Sequence, residues 1–189
     1  MTRTQRVRLM PAEPRLRRAY FDCRYGQLHM HYAMPSGGGF DEATTLLCLA
    51  GGAGSGRFFR PLLAPLGQDR SVYAPDLPGC GESDPPPAAA GPADMAAALG
   101  DFLDSMHIRR VDLLAHDSGV TVALELLKAR PTQVGRLVLS PDSPLIRADA
   151  QSLQHPVLII DLSPVTGPAA IAEQLGRQAG ALRDFLGLV

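Results

Sequence analysis

Cysteine is scarce: Cys23, Cys48 and Cys80 are the only three in 189 residues, and they are widely spaced. No C-x-x-C pair exists, which argues against a zinc site or a disulfide framework. Buried, reduced thiols in a cytoplasmic protein are the simpler reading, and a cytoplasmic location is expected. No apolar run approaches the roughly eighteen residues needed to cross a bilayer, so no membrane association is expected. Neither sign of charge dominates: 18 basic and 19 acidic residues leave a net charge of -1. That balance gives no electrostatic case for nucleic acid or a membrane surface as the main partner. Lysine occurs once against seventeen arginines, a skew attributable to base composition. Low-complexity tracts are missing and 46% of residues are hydrophobic, the profile of a globular chain with a real core. Nothing implies a metal or a cofactor.

The one charge asymmetry is local. Arg3, Arg6, Arg8, Arg15, Arg17 and Arg18 crowd the first eighteen positions. No aromatic residues interleave with them as a nucleic-acid arm would require, and no apolar h-region marks a secretory signal. Serine is absent from the segment, which counts against a transit peptide. Residues 1–17 are expected to be a poorly ordered basic leader, followed by a single domain over residues 18–189.

Along that domain the patterning alternates. "RAYFDCRY" and "QLHMHYAMP" read as two strands around Gly26, the second with strict period-two alternation. "TTLLCLA" (44–50) is a continuous apolar run suited to a parallel strand buried on both faces. A helix is predicted over "RFFRPLLAPLGQ", then a strand over "SVYAPDLP". A helix over 93–107 would turn Met95, Leu99, Phe102, Leu103 and Met106 inward. "VDLLAHD" reads as a strand, "SGVTVALELLKARP" as a helix ended near Pro131, "VGRLVLSP" and "PVLIIDL" as strands. The tail from Pro168 reads as one helix, with a break near Gly176 or Gly180. Strands alternating with helices predict a mostly parallel, doubly wound α/β sheet with helices on both faces and chemistry at the carboxyl ends of the strands.

"GGAGSG" (51–56) follows a predicted strand but is not a dinucleotide fingerprint: from Gly52 the required offsets fall on Gly54 and Arg57, and from Gly51 on Ala53. It also lacks the Gly-Lys-Ser/Thr ending of a phosphate loop. A loop of backbone N–H donors facing a cavity, able to stabilise an oxyanion, fits better. In "LLAHDSGV" (113–120) a tight strand–turn–helix elbow needs small residues two before and two after its apex. Asp117 has Ala115 and Gly119 there, whereas Ser118 would have His116 and Val120. An elbow at this place therefore presents Asp117. Taken alone, these eight residues favour a plainer role for Asp117 and Ser118, capping the helix that follows.

Residues 20–140, through "LLCLAGGAGSGRFFRPLLAPL", "SVYAPDLPGCGESD" and "VDLLAHDSGVTVALELLKARPTQVGRLVLSP", resemble the α/β-hydrolase superfamily. The resemblance implies that Asp117 occupies the nucleophile position, as in members that form a covalent alkyl-ester intermediate. It implies oxyanion donors from the N–H groups of Ser118 and Gly52, beside Gly51, and a role for Asp142 as the acid that orients a histidine. The departures are specific. The glycine loop opens Ala50-Gly51 rather than His-Gly. Ser118 stands where dehalogenases often place a halide-holding Trp, and the chain has none. No histidine follows His155, so the family's late histidine has no counterpart. His155 and His107 should lie at the amino ends of strands, and His29 and His31 near the sheet edge. His116 alone is close to the elbow. No lid domain is expected between the sixth and seventh strands, and the last strand or strands of the fold are expected to be missing.

Two functions follow. One is hydrolysis of a small ester, epoxide or related molecule through Asp117 with an incomplete triad, drawing on Asp142 and His116. The alternative is a catalytically inactive hydrolase-like module that binds a small ligand or another protein. Apolar surface left uncovered leads to the expectation of a homodimer, and the composition and fold suggest a bacterial protein.

Overall fold

The computed structural model describes residues 14–36, 44–52, 54–140, 144–160, 170, 173–174, 177 and 179–187. Residues 1–13 of the basic leader, together with Asp142 and Gly176, lie outside the described residues.

Seven strands form one sheet: β1 (Arg17–Cys23), β2 (Gly26–Ala33), β3 (Thr45–Leu49), β4 (Val72–Pro75), β5 (Val111–His116), β6 (Val134–Ser140) and β7 (Val157–Ile159). Their spatial order is β1-β2-β4-β3-β5-β6-β7. The β1–β2 hairpin and the β2–β4 pair are antiparallel, and every other pair is parallel. The described helices are α1 (Arg60–Leu66), α2 (Pro92–Ser105), α3 (Gly119–Ala129), α4 (Pro144–Gln151) and α5 (Ala179–Leu186).

The apolar runs of the central strands explain the layering. Side chains alternate across a strand, so a run buried on both sides feeds two cores. Leu47, Leu49, Leu113, Ala115, Leu137 and Leu139 enter one core with Leu99, Phe102 and Leu103 of α2 and Val122, Ala123 and Leu126 of α3. Leu46, Cys48, Leu114 and Val138 enter the other with Leu62 and Leu63 of α1 and Leu182 and Leu186 of α5. The sheet is thus doubly wound. Met95 and Met106, expected on the inner stripe of α2, pack against its core only partly buried, while Ala96, Ala98 and Gly100 are buried.

The helix predicted over 57–68 is split. Gly56–Phe59 forms a 3-10 turn before α1 begins at Arg60. Pro61 has no N–H to donate to the carbonyl four residues back, so a continuous α-helix is interrupted there. Gly180, considered a possible break, lies inside α5. That helix is held by Arg70, itself 5% exposed, whose guanidinium donates to the Leu186 carbonyl at 3.1 Å and to buried Asp112 at 3.5 Å. Arg136 donates its backbone N–H to the same carboxylate at 2.7 Å. Burial pushes the Asp112 carboxyl above its usual range, against the pull of these donors.

Candidate active site

The carboxyl ends of β3 and β5 are neighbours in the sheet, and the turns that leave them meet. β5 ends at His116, and Asp117 then adopts φ +54, the left-handed region that side chains rarely enter. Its backbone is pinned on both sides: Asp117 N–H donates to the Ser140 carbonyl at 2.9 Å, and its own carbonyl accepts from Val120 N–H at 3.0 Å. A strained apex held by its surroundings is the form a strand–helix elbow takes.

The small residue required after the apex is also required by a segment remote in sequence. A Cβ on Gly119 would overlap the Leu49 carbonyl oxygen and lie 2.8 Å from its carbon, so the closest constraint on this position comes from the backbone of β3. Gly51 is constrained by Asp117 itself: a Cβ there would sit 2.5 Å from both Asp117 Oδ2 and the Ser118 nitrogen. The carboxylate therefore lies against Gly51, and Oδ2 would be 3.7 Å from a Cβ on Gly52. Structure thus brings Asp117, Ser118, Gly51 and Gly52 together.

Ser118 occupies the N-cap position of α3 but makes no side-chain capping bond. Its hydroxyl instead accepts the Gly52 N–H at 3.2 Å. The N–H expected to point at a ligand is thus engaged by a neighbouring side chain. His116 is half-buried, stacks on Phe58 with ring centroids 4.8 Å apart and planes at 15°, and its Nδ1 lies 3.4 Å from Ser140 Oγ. Asp142 lies outside the described residues, so its place relative to Asp117 is not part of the site's geometry.

The other four histidines are elsewhere. His107 closes α2 in a left-handed conformation at φ +54, and His155 Nε2 binds the Val134 and Gly135 carbonyls at the amino end of β6. His29 and His31 are buried in β2. β2 is separated from β5 by β4 and β3, which places them three strand spacings, about 14 Å, from the elbow.

Asp76, just past β4, is a residue that sequence reasoning passed over. Its carboxylate accepts from Ser55 Oγ at 2.9 Å, Gly56 N–H at 2.7 Å and Glu82 N–H at 2.9 Å, and it contacts His29 Nδ1 at 2.9 Å. Ser83 Oγ donates to its backbone carbonyl at 2.7 Å. Burial alone would raise this carboxyl, but the bonds from Glu82, His29, Ser55 and Gly56 outweigh it and hold the pKa below the usual carboxylate range. Asp76 thereby ties the end of the glycine-rich loop to β2 and to the turn after β4. The signal was an acid ending the buried run "SVYAP" beside a turn rich in backbone donors. Among the described residues, no cluster of metal-ligating side chains occurs, and no helix is long and apolar enough to cross a membrane.

A doubly wound sheet whose fifth strand turns through a strained apex, with a glycine loop from the third strand packed on that apex, defines an α/β hydrolase fold. Residues 44–175 match the family model described as "alpha/beta hydrolase fold", and the chain belongs to that family. It is 37% identical over 114 residues to the protein named "Putative carbamate hydrolase RutD" of Yersinia enterocolitica, covering 60% of this chain and 41% of that one. It is 38% identical over 93 residues to a haloalkane dehalogenase of Mesorhizobium japonicum, covering 48% of this chain and 29% of that protein. Among solved structures it resembles Cfl2 of Burkholderia cenocepacia, with a TM-score of 0.61 and 29% identity over 74% of this chain and 45% of that one. The chain spans less than half the length of each.

Proposed function

We propose that this chain carries the nucleophile and oxyanion side of a small-molecule hydrolase, with Asp117 as nucleophile. The observation that carries the reading is the left-handed Asp117, whose carboxylate lies on Gly51 and Gly52 at the carboxyl end of the sheet. With an epoxide, an Asp117 oxygen forms a bond to a ring carbon. The ring C–O bond breaks and its electron pair stays on the ring oxygen, which takes a proton from water. Water then adds to Asp117 Cγ, its proton passing to a base, and collapse releases the diol. Small esters and haloalkanes offer related electrophiles, and the likeness to a haloalkane dehalogenase supports alkylation chemistry. His116 and Asp142 are the groups we assign to the second step, His116 because it adjoins the apex. The absence of Trp beside Asp117 argues against halide as the preferred leaving group.

A second reading, a binding module without turnover, is favoured by one feature: four of the five histidines are placed away from the apex, and the fifth is stacked on Phe58. Under either reading we propose a small-molecule substrate or ligand, a cytoplasmic location and a homodimer, the last testable by sedimentation. Intact mass after incubation with styrene oxide separates the two functions. The expected result is a one-equivalent adduct mapping to Asp117 and lost in Asp117→Asn. No adduct, with unchanged ligand binding in Asp117→Asn, would establish the binding role.

A further inference from the structure

We propose that the Ser118 side chain, beyond its backbone N–H, is a catalytic oxyanion donor. This inference rests on Asp117 acting as nucleophile. Ser118 Oγ accepts the Gly52 N–H at 3.2 Å, and among the described residues its own proton is donated to none. A hydroxyl with one lone pair engaged in this way keeps its O–H free to swing toward an acceptor. The acceptor at hand is Asp117: Oδ2 lies on the same Gly51–Gly52 segment that grips Ser118 Oγ. Gly52 thus polarises the hydroxyl instead of meeting the oxyanion directly, and the serine delivers the donor.

The step at which this matters is the second. Water adds to Cγ of the Asp117 ester, and the carbonyl π pair moves onto the oxygen that does not carry the alkyl group. That oxygen receives the N–H and O–H of Ser118. Collapse restores the C=O bond and expels the alcohol oxygen, which takes a proton from water. In the first step the carboxylate loses charge as it is alkylated, so the same donors give no assistance there. Ser118 therefore accelerates release of the adduct and not its formation.

The test follows both phases by intact mass, using a single turnover of styrene oxide on the full chain in water enriched in oxygen-18. Ser118→Ala should form the Asp117 adduct within about twofold of the wild-type rate and lose it at least about tenfold more slowly, in line with loss of one oxyanion donor. Ser118→Thr, which keeps the hydroxyl, should restore decay to within a few-fold. The label should enter the Asp117 carboxylate, marking attack at Cγ. Unchanged decay in Ser118→Ala overturns the assignment. Faster decay also overturns it and shows that the hydroxyl blocks Gly52. A wild-type adduct that never decays, or one released without label in Asp117, overturns the Ser118 role while leaving the nucleophile standing. No wild-type adduct at all removes the nucleophile reading and this one with it.

Discussion

Acidification from pH 7 to 5 should destabilise this protein through His31. The imidazole is 2% exposed in β2, its Nδ1 has no hydrogen-bond partner, and its ring meets that of His29 at 4.9 Å. Burial, then the neighbouring His29, pushes its pKa from 6.5 down to about 4; Asp76 pulls the other way, and Arg60 and Arg18 add to the depression. Between those two values the unfolded chain binds a proton that the native chain refuses, so stability falls as pH falls. The contribution is complete above pH 6.5, declines by about 1.4 kcal/mol per pH unit, and levels off below pH 4 after a total of about 3 kcal/mol. At pH 5 the loss is about 2 kcal/mol, a large share of a stability of about 5–15 kcal/mol. Urea unfolding of the wild type and of His31→Leu at pH 7 and 5 measures it. With an m-value of about 2 kcal/mol/M, the wild-type midpoint should drop by about 1 M and the variant's should barely move. His107, His116 and His155 lie away from this pair and are common to both chains, so their titration cancels in the comparison. Equal drops in the two would refute the claim that burial of His31 links folding to this pH range.

Asp117→Gly should raise stability by on the order of 1 kcal/mol, because glycine accepts a left-handed backbone without a Cβ clash, and thermal melts read the change; a lower melting temperature would contradict the strain. Gly119→Ala should cost roughly 1–3 kcal/mol, because its Cβ meets the backbone carbonyl of Leu49, which has no rotamer by which to yield; a melt within experimental error of wild type would show that β3 gives way. Arg70→Ala should cost about 3 kcal/mol and speed hydrogen exchange in residues 182–186, since it frees the end of α5 and removes a charge from buried Asp112; exchange unchanged there would mean that apolar packing alone holds the helix.

The central strands were plain in the amino-acid pattern because burial on both faces leaves an uninterrupted apolar run, as in "TTLLCLA", that few other settings explain. Turn chemistry was harder to place. The residues flanking Asp117 were recognised as small, but the reason assigned, a clash between positions 115 and 119, concerns neighbours along the chain. The structure puts the closest pressure on Gly119 from Leu49, seventy positions away in sequence. Asp76 was passed over for a similar reason. One carboxylate after a strand looks like any loop acid until its four contacts, from segments as far apart as His29 and Glu82, are in view. Gly52 was expected to offer its N–H to a ligand, and nothing in the local pattern shows that Ser118 Oγ takes it.

Sequence alone determined the class of fold, the place of the seven strands and of helices α2 and α3, and that Asp117 rather than Ser118 heads the turn after β5. Those are consequences of periodicity and side-chain size, which act over a few residues and can be read in order. Tertiary structure decided which backbone presses on the turn, which hydroxyl engages the glycine loop, and how far each histidine sits from the apex. These depend on strands that lie side by side in space in the order β2-β4-β3-β5, an order unrelated to their succession along the chain.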